Sequence, residues 1–420
     1  FTKPQIEAVL SPVQTASPLE QAYFFRMLRF VLTEHLMGKI GSPSRDGSGF
    51  ASKWHETLEE KLASGSIYSN LRIVFPEPES EEPVEVLRLK TDEAVSADTT
   101  NFRKGDVVVL YAYKSGETPD VRRTMVFRCS VEEIYSDSLT LRLRAPQSNV
   151  KVFFMQKGDV WCIEHDYFES STTSLMRSLY TFLSAPKDRR DLILSQRSPQ
   201  IDESRQLRGD YGEQFNGLSL SVKQARDFFL IVGPPGTGKT SFGMLNTLKE
   251  ELLEPDSSVL LLSYTNRAVD EICSKLIHEG IDFIRVGGAL SCSEECKPYL
   301  LESKVSGVTN KNEMRELLRS VRVYAGTTSS VNSHAELFKL KHFTLAIVDE
   351  ASQILEPHII GLLSAHDGER LCIDKFVFIG DHKQLPAVVQ QDEEESSVSN
   401  DLLSAAGISD CRLSLFERLY

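Results

Sequence analysis

Eight consecutive residues, Gly233, Pro234, Pro235, Gly236, Thr237, Gly238, Lys239 and Thr240, carry the groups that grip a polyphosphate. They follow the apolar run 228–232 and precede a helical pattern beginning at Ser241, the strand, loop and helix context that a Walker A loop requires. The glycines let backbone N–H groups close around phosphate oxygens, and the helix start adds its positive dipole. Lys239 is set to reach the β and γ phosphates and Thr240 to ligate magnesium, so the expected cofactors are ATP and Mg2+.

Two further strand ends complete a hydrolytic set. Leu345, Ala346, Ile347 and Val348 run into Asp349 and Glu350. In a Walker B arrangement the first carboxylate holds magnesium and the second activates the attacking water. Phe376 to Ile379 leads into Gly380, Asp381, His382, Lys383 and Gln384, where Gln384 is placed to sense the γ-phosphate. Gln214, at a helix start upstream of the loop, can offer its amide to adenine. An exposed helix-start residue is the plain alternative, and Gln224 competes for the role.

Together these segments resemble superfamily 1 helicases, in the branch of the nonsense-mediated-decay helicases and the helicase–nucleases of Okazaki-fragment processing. The matching residues are 233–240 (motif I), Ser263 to Asp270 (Ia), Ala325 to Ser329 (Ic), Asp349 to Ser352 (II) and Gly380 to Pro386 (III). The resemblance implies that Thr265, Asn266, Thr327 and Thr328 lie along a bound single strand of DNA or RNA, although strand-end capping would use the same groups. Arg267 either touches phosphate or is solvated. The implied activity is ATP-driven unwinding or translocation, 5′ to 3′. An ATP-gated binding module with little turnover is the alternative, against which the complete Asp349 and Glu350 pair speaks. A metabolic P-loop kinase would leave 263–270 and 325–329 unexplained.

The elements that must position these residues follow from pattern. Apolar runs at 228–232, 259–263, 283–286, 321–326, 344–348 and 375–379 alternate with helices, which predicts a doubly wound parallel sheet over 206–420 with ligands at the carboxyl ends of its strands; the resemblance implies that it is RecA-like. Upstream, residues 1–75 read as mainly helical, with a capping box at Ser17 and a second apolar helix face at Phe50, Trp54, Leu58 and Leu62. Residues 76–100 read as an acidic linker. Residues 101–168 read as a small β-barrel of five strands at 107–113, 125–131, 138–143, 150–155 and 160–164, and 169–205 as a helical stalk. The resemblance implies that the chain closes with the first lobe, ahead of the residues of a second lobe that would supply arginine fingers. It would then bind ATP, hydrolyse it slowly and not translocate alone. No convincing nuclease motif stands upstream.

Bulk composition narrows the rest. The chain has 420 residues, 41% apolar and 25% charged, which suits two or three globular domains. No apolar run is long enough for a membrane helix, so no membrane partner is expected. A formal charge of −13 argues against indiscriminate binding of nucleic acid. Seven scattered cysteines suit a reducing, intracellular compartment, cytoplasm or nucleus. Cys292 and Cys296 lack a second pair at zinc-site spacing.

Overall fold

A computed structural model of the chain describes residues 3–40, 50–74, 83–91, 101–135, 137–154, 159–166, 171–234, 236–308, 310–384 and 386–420. The chain forms two compact units, one of His35–Ser170 and one of Phe1–Glu34 with Ser171–Tyr420.

In the smaller unit, β1 (Ile67–Val74), β2 (Val84–Thr91), β3 (Val107–Lys114), β4 (Val126–Ile134), β5 (Ser138–Gln147) and β6 (Asp159–His165) close an antiparallel barrel in the order β1-β2-β5-β4-β3-β6. Alternate side chains point inward, so Leu139, Leu141 and Leu143 of β5 fill the interior with Leu87, Leu89, Val108 and Leu110. The expected boundaries need correcting here. Two of the six strands lie where a helical segment and a linker were expected, and 150–154 is a 3-10 turn rather than a strand. In β1 the period of two is broken by Asn70, whose φ of 59° and register shift between Tyr68 and Leu71 mark a bulge, which displaces the alternation that announces a strand. Strand β2 has its own register shift between Val84 and Val86 and follows a Pro- and Glu-rich flank; 76–82 and 92–100 of the expected linker lie outside the described residues. At 150–154 the Asn149 side chain accepts from the Lys151 N–H at 3.2 Å and starts a turn. The expected second helix is also interrupted, because Thr57 and Glu60 form a capping box that starts a new short helix at Leu58.

The larger unit begins with helices α1 (Lys3–Thr15) and α2 (Pro18–Ile40), continues after the barrel with α4 (Ser171–Ser184) and α5 (Lys187–Ile193), and then enters the alternating part; α3 (Leu58–Ala63) belongs to the barrel unit. The alternating part holds α6 (Glu213–Gln224), β7 (Phe228–Val232), α7 (Leu245–Leu252), β8 (Val259–Ser263), α8 (Asn266–His278) and β9 (Phe283–Val286). It continues through α9 (Leu301–Val305), α10 (Lys311–Ser320), β10 (Val323–Thr327), α11 (Thr328–Ser333), β11 (Phe343–Val348), α12 (Glu356–Leu363), the two-residue β12 (His366–Asp367) and β13 (Arg370–Leu371), and β14 (Ile373–Gly380). As expected, the main sheet is parallel, in the order β7-β14-β11-β8-β10-β9. Its strands are apolar on both faces because helices cover both. Leu260, Leu262, Val348 and Phe378 face a core shared with Tyr23, Phe30, Leu179, Phe182 and Ile359. Val259, Leu261, Ile347 and Val377 face the other core, with Leu248, Val269 and Leu276. Helices α2 and α4 are therefore built into the core of the sheet-bearing unit; for α4, within 169–205, a stalk between barrel and lobe was expected. Among the described residues no helix is long and apolar enough to cross a membrane.

Candidate nucleotide site and the neighbouring strand ends

Parallel strands deliver all their carboxyl ends to one edge, so the strand order decides which motifs meet. Motif I follows β7, motif III follows β14 and motif II ends β11, three adjacent strands. Motifs Ia and Ic follow β8 and β10, next along the same edge. The sheet thus sorts the nucleotide motifs from the two that the resemblance assigned to a nucleic-acid strand.

The phosphate loop is tied to its neighbour through Gly233, whose N–H donates to the Gly380 carbonyl at 3.2 Å. Lys239 Nζ donates to the Gly233 carbonyl at 2.5 Å, across the loop. Gly238 has φ 80°, and a Cβ there would run into the Phe242 ring, so glycine is needed on both counts. The helix that follows opens with a π-helical turn at Lys239–Met244, a distortion common at functional sites. Ser241 lies in this turn and is exposed. Of the remaining loop residues, Pro234, Gly236 and Thr237 are described, with the Thr237 hydroxyl donating to the Pro234 carbonyl at 2.8 Å; Pro235 lies outside the described residues.

Motifs I and II meet where Thr240 Oγ1 donates to Asp349 Oδ2 at 2.9 Å. Asp349 is 4% exposed, and burial raises its pKa, with the Thr240 hydroxyl opposing the shift. Its other oxygen accepts from the Glu350 N–H at 3.1 Å. Glu350 itself has φ 54°, a left-handed backbone that costs a non-glycine residue about 1 kcal/mol or more. Its pKa is raised by burial and by the Asp349 charge, and its Oε2 is buried with no hydrogen-bond partner among the described residues. These are hard oxygen donors in a buried acidic pair, a set that fits a hydrated magnesium ion. Motif III packs tightly against motif II: a Cβ on Gly380 would lie 3.1 Å from the Ser352 nitrogen, and the Asp381 N–H donates to Ser352 Oγ at 3.4 Å. Gln384 Nε2 reaches Asp381 Oδ2 at 3.5 Å.

The two candidate adenine-reading glutamines separate. Gln214 is exposed in the first turn of α6, beside Phe215, whose ring stacks on Phe242 at 4.8 Å and 12°. Gln224 is at the far end of α6 and gives its amide to the carbonyls of Glu203 and Arg205. The Phe215 and Phe242 stack was not legible in the sequence, since no periodicity joins the two residues.

On the β8 and β10 ends, internal bonds occupy most of the side chains assigned to a nucleic-acid strand. Thr265 Oγ1 caps α8 by accepting from Ala268 N–H at 3.2 Å, and Thr327 Oγ1 caps α11 by accepting from Ser330 N–H at 3.0 Å. Asn266 Oδ1 accepts from the buried Arg285 at 3.2 Å, and Arg285 is paired with Asp270 at 2.9 Å. Thr328 is 1% exposed. Arg267 is exposed, 3.4 Å from Glu271. Ser263, buried, donates to the Asp349 carbonyl at 3.3 Å and so joins motif Ia to motif II.

Residues 213–322 and 308–392 match the AAA domain family. The chain is similar to the DNA replication ATP-dependent helicase/nuclease JHS1 of Arabidopsis thaliana, 31% identical over 333 residues that cover 75% of this chain and 23% of that protein. It is also similar to the DNA replication ATP-dependent helicase/nuclease DNA2 of Gallus gallus, 36% identical over 212 residues (48% of this chain, 19% of that protein). The DNA2 of Xenopus laevis is 30% identical over 380 residues (87% and 34%). The matched stretches therefore span 19% to 34% of these relatives, which lie in the branch that the five motifs resemble.

Proposed function

We propose that this chain, whose residues 206–420 carry the first ATPase lobe of a superfamily 1 helicase of the branch just described, supplies the ATP-hydrolysing half of a motor that moves along single-stranded DNA and so unwinds duplex DNA inside the cell. The observation that supports it most is the 2.9 Å contact between Thr240 and Asp349, made by motifs far apart in sequence. DNA is favoured over RNA by the names of the similar proteins, which are DNA replication helicase/nucleases; movement 5′ to 3′ follows the branch.

In this reading Lys239 exchanges the Gly233 carbonyl for β- and γ-phosphate oxygens, and backbone N–H groups of 233–240 surround the phosphates. Magnesium, held by Thr240 and Asp349, would neutralise developing charge between the phosphates. Glu350 holds the attacking water and takes its proton, and its raised pKa suits that task. Gln384, in the turn that follows β14 beside motif II, loses a contact when the γ-phosphate leaves. Gln214 reads the adenine edge. The strand lies across the ends of β8 and β10, where main-chain N–H groups at the start of α8 and the exposed Arg267 face phosphate, the Thr265 and Thr327 hydroxyls shaping those turns. A second RecA-like lobe in the intact protein completes the cleft.

The test is displacement of a labelled strand from a tailed duplex by the full-length protein with ATP. Release from 5′-tailed but not 3′-tailed substrates supports the reading and its direction, whereas ATP-dependent binding without release from either substrate supports the gated module.

A further inference from the structure

Gln384 sits in a stretch hydrogen-bonded at both ends, with His382 stacked on Tyr420 between them. Upstream, Asp381 is held by Ser352 of motif II. Downstream, Ala387 and Val389 pack against the core, and a helix from the other end of the sequence then holds the chain by hydrogen bonds: Glu34 of α2 accepts from the Gln390 N–H at 2.9 Å and the Gln391 N–H at 2.7 Å. The Gln391 side chain, 3% exposed, donates to Glu34 Oε1 at 3.0 Å and to the Phe30 carbonyl at 3.0 Å. Between the anchors, 386–390 form neither helix nor strand, and Val388 is 91% exposed.

Other contacts show that the attachment is not isolated. Residues 23, 26, 30 and 34 recur at spacings of three and four and so share one face of α2. From that face Tyr23 donates to Glu356 Oε2 at 2.7 Å, at the start of α12 just beyond motif II, and Arg26 donates to the carbonyls of Glu395 and Ser397 at 2.9 and 3.1 Å. One helix face therefore grips the segments that follow both motif II and motif III. A carboxylate is the group that can receive two main-chain N–H bonds and a side-chain amide at once, since it is acceptor-only with about four lone-pair sites.

We propose that Glu34 is a positioning residue for ATP hydrolysis: it fixes the downstream end of the motif III segment so that Gln384 is presented to the γ-phosphate. This rests on the nucleotide-site reading above. Glu34 touches no substrate; it acts through Gln384.

The experiment is a double-mutant cycle on the full-length protein, measuring steady-state phosphate release over a range of ATP with and without single-stranded DNA. Glu34→Ala should lower kcat roughly 10- to 100-fold, the scale of loss when a reacting group is misplaced by about an ångström, with KM for ATP within about twofold. Glu34→Gln, which keeps one acceptor oxygen, should recover part of the rate. Adding Glu34→Ala to Gln384→Ala should lower kcat no further. Additive losses, or an unchanged kcat in Glu34→Ala, overturn the proposal and leave the helicase reading standing. If Glu34→Ala fails to fold, Glu34→Gln decides by the same comparison. A wild type with turnover that DNA does not stimulate, yet with non-additive losses, overturns the motor reading and keeps the positioning role. A wild type with no turnover overturns both.

Discussion

Glu350 occupies a position in which a carboxylate is hard to ionise, half-buried beside Asp349 and on a left-handed backbone. Both causes raise its pKa, so protonation persists above the ordinary glutamate value of about 4.3. A base must be ionised to accept a proton; the acid limb of a plot of kcat/KM against pH, which reports the free enzyme, should therefore lie above that value. The matching stability effect has a definite sign. A carboxyl whose folded pKa is raised contributes stability below its unfolded value and loses it as pH rises through the folded pKa. Glu350→Gln should thus be at least as stable as wild type at neutral pH, measured by urea denaturation, while turnover collapses. A less stable variant would mean that the carboxylate has a partner in the fold.

At the scale of elements, the helix that begins after β10 depends on a hydroxyl. Thr327→Val should cost about 1 kcal/mol of unfolding free energy through loss of the cap, with Thr327→Ser close to wild type; equal stability of the two variants in urea would remove the capping account. The buried bond from Tyr23 to Glu356 should likewise make Tyr23→Phe unfold at lower urea, by about 1–3 kcal/mol. These elements also show what the sequence could and could not convey. The sheet was legible because strands buried on both faces read as apolar runs, and the phosphate loop because its chemistry admits few residue types. Capping and strand contact call for the same short hydroxyls, so Thr265 and Thr327 looked alike under either use until their partners were seen. Strand β1 was missed because the bulge at Asn70 breaks its period; with β2 also gained and 150–154 a turn, the five expected strands became six. Glu34 could not have been singled out at all, since its partners are the main-chain N–H groups of Gln390 and Gln391 and the Gln391 amide, far along the chain.

At the scale of the whole molecule, the strand order lays motifs I, III and II side by side and motifs Ia and Ic next to them, with Ser263 bonded to the Asp349 carbonyl between the two groups. A nucleic-acid strand on β8 and β10 would thus lie one strand from Asp349 and Glu350. The net charge of −13 leaves this contact to local groups rather than to a general positive field. The most direct measurement is phosphate release by the full-length protein, with and without a single-stranded DNA oligonucleotide, beside Glu350→Gln. The account predicts strong stimulation by DNA and a loss of roughly 10²- to 10⁴-fold in the variant, the range for removal of a general base. Equal rates with and without DNA, or a variant as fast as wild type, would contradict it.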